Sequence, residues 1–282
     1  MPDKKTLPEI VKKYGYDFPK DTQKVWALDI PVEEIPIEDV IWHFSIPFWG
    51  YNGVYYNLTA NEVIENIDKY PEHYERIMNS DTSYPIDLLD NRPINGKLLM
   101  LDGLHRGVKL YLNGKKTIKA RIVSRKFIPK ICKDGSILDS LNKIFEENKD
   151  KRICVVATSC AGKTTLLNFF EYAKDMDDEL YPLLTKEESE YICQERWTKE
   201  VGEYVDNLTR TKLHIKPGHP LFGTVVLDAD IIVFLHINED ELKIRCQKRE
   251  TNLENCLNMQ NAIEEELTQY KDKVIKLEMK GE

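Results

Sequence analysis

The 282-residue chain has no run of about 18 apolar residues, the length a membrane-spanning helix needs, so no membrane association is expected. Its first residues, MPDKKTLPEI, lack the apolar core of a secretory leader, which makes the cytoplasm the expected location. Six cysteines, at 132, 154, 160, 193, 246 and 256, include no C-x-x-C pair. That spacing argues against a zinc site, and their scatter over a long chain argues against a disulfide framework. Basic residues are not in excess. Lys and Arg total 40 against 48 Asp and Glu, a net charge of −8, which argues against generic binding to a nucleic-acid backbone. Long repeats and low-complexity tracts are also missing. What remains is a composition with 41% hydrophobic and 31% charged residues, enough apolar material for two cores. At about 150 residues per domain, two ordinary domains fit the length.

The pattern along the chain divides it into a domain over residues 1–135, a linker helix over 136–151 and a second domain over 152–282. The expected linker opens with the turn signal Lys133-Asp-Gly-Ser136. It places Ile137, Leu141 and Ile144 on one helical face and ends in a charged run, Glu146 to Arg152. The first domain reads as α+β. Residues 26–37 suggest an edge strand with a proline turn. Residues 61–78 read as one helix, 85–89 and 97–101 as a strand hairpin, 103–112 as a helix and 117–123 as a strand. The second domain alternates apolar strands (153–157, 231–237, 273–277) with helices. Its helices are expected at 163–172 and 185–208, the latter opened by the capping-box pattern Thr185-Lys-Glu-Glu188 and carrying Trp197, Val201, Tyr204, Val205 and Leu208 at helical spacing. The fold class expected is α/β, with a small parallel sheet covered on both faces.

Between strand 153–157 and the following helix lies Ala157-Thr-Ser-Cys-Ala-Gly-Lys-Thr164, followed by Thr165. This is the spacing of a phosphate-binding P-loop, with Ala157 in the position of the first glycine. The chemistry demands such a segment. A tight loop after a strand offers its amides to phosphate oxygens, and the next helix adds the positive end of its dipole. Gly162 allows close backbone approach, Lys163 reaches the β and γ phosphates, and the Thr164 hydroxyl is the expected Mg²⁺ ligand. Ser159, Cys160, Ala161 and Thr165 complete the expected nucleotide cradle. Cys160 is read as a small loop filler.

With its P-loop in strand–helix context, the second domain resembles P-loop kinases of the nucleoside-monophosphate and adenylate kinase type. Asp228-Ala-Asp230 before the strand at 231–237 looks like the late strand of those kinases, and Arg245 and Arg249, four apart on the next helix, look like the arginines of the lid helix. The resemblance implies ATP or another nucleoside triphosphate as donor and Mg²⁺ as cofactor. It also implies Lys163, Arg245 and Arg249 as the residues stabilising the transferred group, with Asp228 and Asp230 either as candidate partners of Thr164 on the metal, Asp228 first, or as simple caps of the strand. It sets residues 214–223, with His214, Gly218, His219 and Gly223, where an acceptor or magnesium loop lies. The acceptor itself, a small molecule or a nucleotide, has no signature in the chain.

In the first domain, Leu101-Asp102-Gly103-Leu104-His105-Arg106 joins a strand directly to a helix. Free amides of the first turn, together with His105 and Arg106, form an expected second phosphate site with Asp102 and Gly103. Residues 25–123 resemble the ParB and sulfiredoxin superfamily, in which an Asp-Gly-x-His-Arg element contacts nucleotide phosphates. Leu104 stands where sulfiredoxins carry a catalytic cysteine, so the form is closer to the free serine kinases of that superfamily. The resemblance implies a glutamate base, for which Glu33, Glu34 and Glu38 are candidates. The dense aromatic run 42–51, continuing to Tyr55 and Tyr56, reads either as a stacking surface or as core with a proline turn. The leading expectation is an ATP- and Mg²⁺-dependent kinase acting from the P-loop. The alternatives are a nucleotide-dependent regulatory NTPase with a partner-binding first domain, and a small-molecule kinase with catalysis in that first domain.

Overall fold

The computed structural model describes residues 9–16, 18–193 and 199–279. The chain divides into two compact units, Met1–Ser136 and Ile137–Glu282, each with its own core. The architecture is mixed α/β, and the second unit contains a fully parallel five-stranded sheet.

The first unit is built on a four-stranded sheet of β1 (Val32–Pro36), β4 (Ile86–Asn91), β5 (Lys97–Asp102) and β6 (Thr117–Ser124), in the order β1-β6-β4-β5. β4 and β5 pair antiparallel, as a hairpin should, and β6 runs parallel to β4 and antiparallel to β1. Leu88, Met100, Ala120, Val108 and Phe44 fill the core behind it. The helix expected over 61–78 is two helices, Ala60–Glu65 and Pro71–Met78. Pro71 explains the break: it lacks an amide hydrogen and disfavours helical backbone before it, so it starts a helix rather than continuing one. The aromatic run contains a small antiparallel hairpin, β2 (Trp49–Tyr51) and β3 (Val54–Leu58). Its turn is Asn52-Gly53, both at positive φ (53° and 76°), the geometry a two-residue hairpin turn prefers.

The second unit has β7 (Ile153–Val156), β8 (Lys174–Asp175), β9 (Leu221–Gly223), β10 (Ile231–Ile237) and β11 (Val274–Met279), in the order β11-β10-β7-β9-β8. Every residue of β7 is buried, as expected for a central strand covered on both faces. Cys154 and Val156 join Ile232 and Phe234 in one core. The helix Ile137–Glu147, expected as a linker, belongs to this unit: Leu138, Leu141 and Phe145 are buried, and Phe145 packs edge-on against Phe170 (4.9 Å between centroids) and Phe222 (6.2 Å). The helix after the P-loop stops early, at Lys163–Leu167, with Asn168 as its cap, because Phe169 and Phe170 turn into the core. In place of one helix over 185–208 there are Lys186–Ile192, with the expected capping box between Thr185 and Glu188, and Lys199–Lys212. Trp197 lies outside the described residues. No helix among the described residues is long and apolar enough to cross a membrane.

Candidate functional site

In an open parallel sheet, ligands bind at the carboxyl ends of the strands, where the connections leave in opposite directions. Here that point is the end of β7: the chain proceeds to β8 and β9 on one side, then to β10 and β11 on the other. The loop 157–165 occupies it. The Ala157 amide donates to Gly223 O of β9 (3.2 Å), extending the sheet pairing one residue into the loop. Thr158 is buried, and its hydroxyl donates to Cys256 O at 2.5 Å. Cys160 and Gly162 take positive φ, 62° and 98°, which curls the loop in the manner of an anion-binding nest. Its positive φ favours glycine at 162, and a Cβ there would lie 3.1 Å from Arg245 Nη1, a tight contact that the arginine side chain would have to ease.

Lys163 Nζ donates to Ala157 O (2.9 Å) and Thr158 O (2.8 Å), placing its ammonium on the loop's own backbone. Burial lowers its pKa to about 8, against the opposing charges of Asp175 and Asp177. Thr164 and Thr165 are exposed and Ser159 is half-buried, its hydroxyl 3.7 Å from Met259 Sδ. Arg245 is anchored by Glu241 (Nε to Oε1, 2.7 Å) and donates to Ala161 O (2.7 Å), so it braces the loop from the neighbouring helix, Glu239–Lys248.

Two expectations about this site are corrected, that for Asp228 and that for residues 214–220. Asp228 is not beside Thr164. It pairs with Arg152 (3.3 Å) and Lys273 (3.2 Å) before the amino end of β7, with Asp230 on the same arginine at 3.0 Å. Six residues of extended chain separate Arg152 from Thr158, about 20 Å at 3.3 Å per residue. Arg249 is the exposed carboxyl cap of its helix and has no side-chain partner among the described residues. Of the stretch 214–223, residues 214–220 lead into the amino end of β9, where His219 Nδ1 bonds Tyr172 O (2.9 Å), away from the loop, whereas Gly223 closes β9 at its carboxyl end and accepts from the Ala157 amide of the loop. The acids that do reach Lys163 electrostatically are Asp175, the last residue of β8, and Asp177. Burial raises the Asp177 pKa, with the Asp175 charge adding to the effect and Lys163 opposing it. A two-residue strand has no periodicity to read, which is why this pair escaped sequence reasoning.

The second expected site lines a cavity of about 640 Å³ in the first unit, to which Asp102, Gly103, His105 and Arg106 all contribute. β5 ends at Asp102. Gly103 (φ 101°) turns the chain, and the helix Leu104–Leu112 follows at once. A Cβ on Gly103 would sit 2.7 Å from Ile86 Cγ2 and 2.9 Å from Arg106 Nη2. Arg106 Nη2 donates to Pro85 O (3.0 Å) and Asp102 Oδ2 (3.1 Å). Its Nε is buried without a partner among the described residues, as is Nε2 of His105. His105 stacks on Trp49 (4.7 Å, 18°), with His73 stacked on the same indole (5.4 Å, 22°). Burial lowers the His105 pKa to about 4, with the charges of His73 and Arg76 adding to the effect. Lys20, whose ammonium donates to Leu101 O, is lowered to about 8 by burial, partly offset by Asp102 and Asp87. Glu33 and Glu34 lie exposed on the edge strand β1 and Glu38 is exposed on the next helix, and none of the three lines the cavity. The carboxylates that do are Asp81 and Asp102. Sequence reasoning missed Lys20 and Asp81, which come from separate segments and meet only through the fold, whereas Trp49 belongs to the aromatic run read either as a stacking surface or as core. No family model and no curated protein matches this chain.

Proposed function

We propose that the chain is a nucleoside-triphosphate- and Mg²⁺-dependent phosphotransferase whose donor phosphates sit in the loop 157–165. The observation that carries this reading is Lys163, whose ammonium lies on two main-chain carbonyls of a loop at the carboxyl end of the central parallel strand. A phosphate entering the loop offers that ammonium charged oxygens in place of neutral carbonyls, bonds roughly twice as strong. The exposed Thr164 hydroxyl, with Asp175 and Asp177 at the same end of the sheet, suits a hydrated Mg²⁺, which takes one or two carboxylates and keeps several waters. The bound nucleotide would supply the transferable phosphoryl group. Lys163 would neutralise charge on it, and Arg245 would hold the loop carbonyl at Ala161 so that the loop amides keep their shape. The acceptor is taken to be a small molecule or nucleotide.

A second reading, catalysis or ligand binding in the first unit, is favoured by one observation: the buried Nε2 of His105 and Nε of Arg106, which have no partner among the described residues, in residues lining a cavity. Buried polar atoms are normally satisfied, so these point to a polar or anionic ligand. One titration separates the two. Wild type, Lys163→Ala and Arg106→Ala are titrated with ATP, GTP and CTP in Mg²⁺. The P-loop reading expects Lys163→Ala to weaken binding about 10- to 100-fold, the worth of one bond to a charged group, and Arg106→Ala to leave it unchanged. Undiminished affinity in Lys163→Ala would sink the P-loop reading, and a loss confined to Arg106→Ala would move the nucleotide to the first unit.

A further inference from the structure

Three of the six cysteines meet at the P-loop. Cys160 lies within it, Cys246 on the helix Glu239–Lys248 and Cys256 on the helix Leu253–Leu267. Their sulfur atoms lie within 4.8 Å of one another and all three residues are buried. Among the described residues this is the one group of three or more His, Cys, Asp or Glu side chains close enough to share an ion. No C-x-x-C pair announces it: Cys246 and Cys256 stand ten residues apart on consecutive helices, and Cys160 precedes Cys246 by 86 residues. Buried cysteines often serve as small apolar filler. Two observations argue for more. Cys160 adopts φ 62°, a backbone conformation that penalises any residue with a Cβ, in a loop where glycine is the residue suited to it. The elements bearing the other two thiols are also tied to the loop: Arg245, next to Cys246, donates to Ala161 O, and Cys256 O accepts from the Thr158 hydroxyl.

We propose that Cys160, Cys246 and Cys256 form a three-thiolate site for a thiophilic closed-shell cation, Zn²⁺ or Cu⁺, built into the P-loop. A metal–sulfur distance of about 2.3 Å places sulfurs about 3.8–4.0 Å apart, so an ion seats with side-chain shifts of an ångström or less. An all-sulfur donor set selects soft ions and rejects Mg²⁺, which requires oxygen, so this site and a magnesium site beside Thr164 do not compete. Each ligating thiol releases its proton to solvent as the ion binds. Zn²⁺ takes its fourth ligand from water, whereas Cu⁺ is satisfied by three sulfurs. Either ion pins the loop to both helices, a constraint that exists whether or not the loop binds nucleotide.

The test needs no nucleotide, so it succeeds or fails independently of the phosphotransferase reading. The full chain, purified under a phosphine reductant, is titrated with Zn²⁺ and Cu⁺ against chromophoric chelators specific for each, and with Co²⁺ as a spectroscopic stand-in for Zn²⁺. One equivalent per chain is expected. Cys246→Ala and Cys256→Ala should lose it, and Cys132→Ala, outside the cluster, should keep it. Capture of Zn²⁺, with a thiolate-to-cobalt band in the near ultraviolet, assigns a zinc site, and capture of Cu⁺ alone assigns a copper site. Because a buried variant can fail to fold, wild-type protein is also alkylated with and without the ion. The ion should shield Cys160, Cys246 and Cys256 while the exposed Cys193 reacts in both samples. Capture of neither ion, stoichiometry unchanged in both cluster variants, or no shielding of the three thiols overturns the proposal.

Discussion

Three buried bases carry pH dependence that an ordinary lysine or histidine would not. Lys163 in the nucleotide-free loop is lowered to about 8 by burial, and only its protonated form attracts phosphate. Bound phosphates raise that value again. Nucleotide affinity should therefore be flat below pH 8 and fall as pH rises through it, by up to tenfold per unit, and calorimetric titrations from pH 6.5 to 9.5 would reveal it. Lys163→Arg should flatten the profile, since a guanidinium stays charged throughout. His43 behaves in the opposite sense. It is fully buried, its Nδ1 faces Val40 O (2.8 Å) and its Nε2 accepts from the Met100 amide (2.8 Å), so Nδ1 carries the hydrogen and the ring is neutral. Burial lowers its pKa to about 4, and His105 is lowered to about 4 as well. The unfolded chain binds these protons near pH 6.5 and the folded chain only near 4, so stability is lost as pH falls between those values. For His43 alone the loss reaches about 3 kcal/mol. Urea midpoints of wild type and His43→Gln, followed from pH 7.5 to 4, should converge on the acid side if this is right.

At the level of single elements, the strand–turn–helix joint at Gly103 is tightly constrained. Gly103→Ala meets both a left-handed φ and the Ile86 side chain. It should cost at least about 1–2 kcal/mol from the backbone alone, and more from the contact. Gly96→Ala, where nothing lies within 4 Å of the new methyl, isolates the backbone part, and thermal denaturation of the two variants measures the difference. Joints of this kind were also the most legible parts of the sequence. Asp102-Gly103 and Gly162-Lys163 mark turns by residue type, and the all-apolar strands at 153 and 231 mark a covered parallel sheet. What escaped had no local signature. Pro71 was passed over inside a helical pattern although its missing amide demanded a boundary. Asn52-Gly53 announced a hairpin hidden by the aromatic residues around it. Asp228 was misplaced because an aspartate before a strand lies at that strand's amino end, while loop chemistry lies at the other. The partners of the Asp102–Arg106 cavity, and the thiol cluster, are products of tertiary packing that spacing does not encode.

At the scale of the whole chain, each unit holds its own hydrophobic core, and the division falls before Ile137 rather than at the charged run that ends with Arg152. A fragment of residues 137–282 should unfold cooperatively in urea. A fragment of 152–282 loses Phe145 with its whole helix, so its stability should fall by more than the about 3–5 kcal/mol of a single buried phenylalanine truncation. Circular dichroism melts of both fragments decide this. Equal stability would mean that the helix contributes nothing to that core. The net charge of −8 is spread along the chain, but one small part of it has a definite place. Glu33 and Glu34, which do not line the Asp102–Arg106 cavity, lie exposed on β1, the edge strand of its sheet, with Pro36 closing the same strand. An edge strand offers unpaired amides and carbonyls to any other strand that drifts past, and adjacent like charges with a proline are what discourage such sheet extension. Adjacent like charges beside a proline thus lie along the edge that another strand would have to approach.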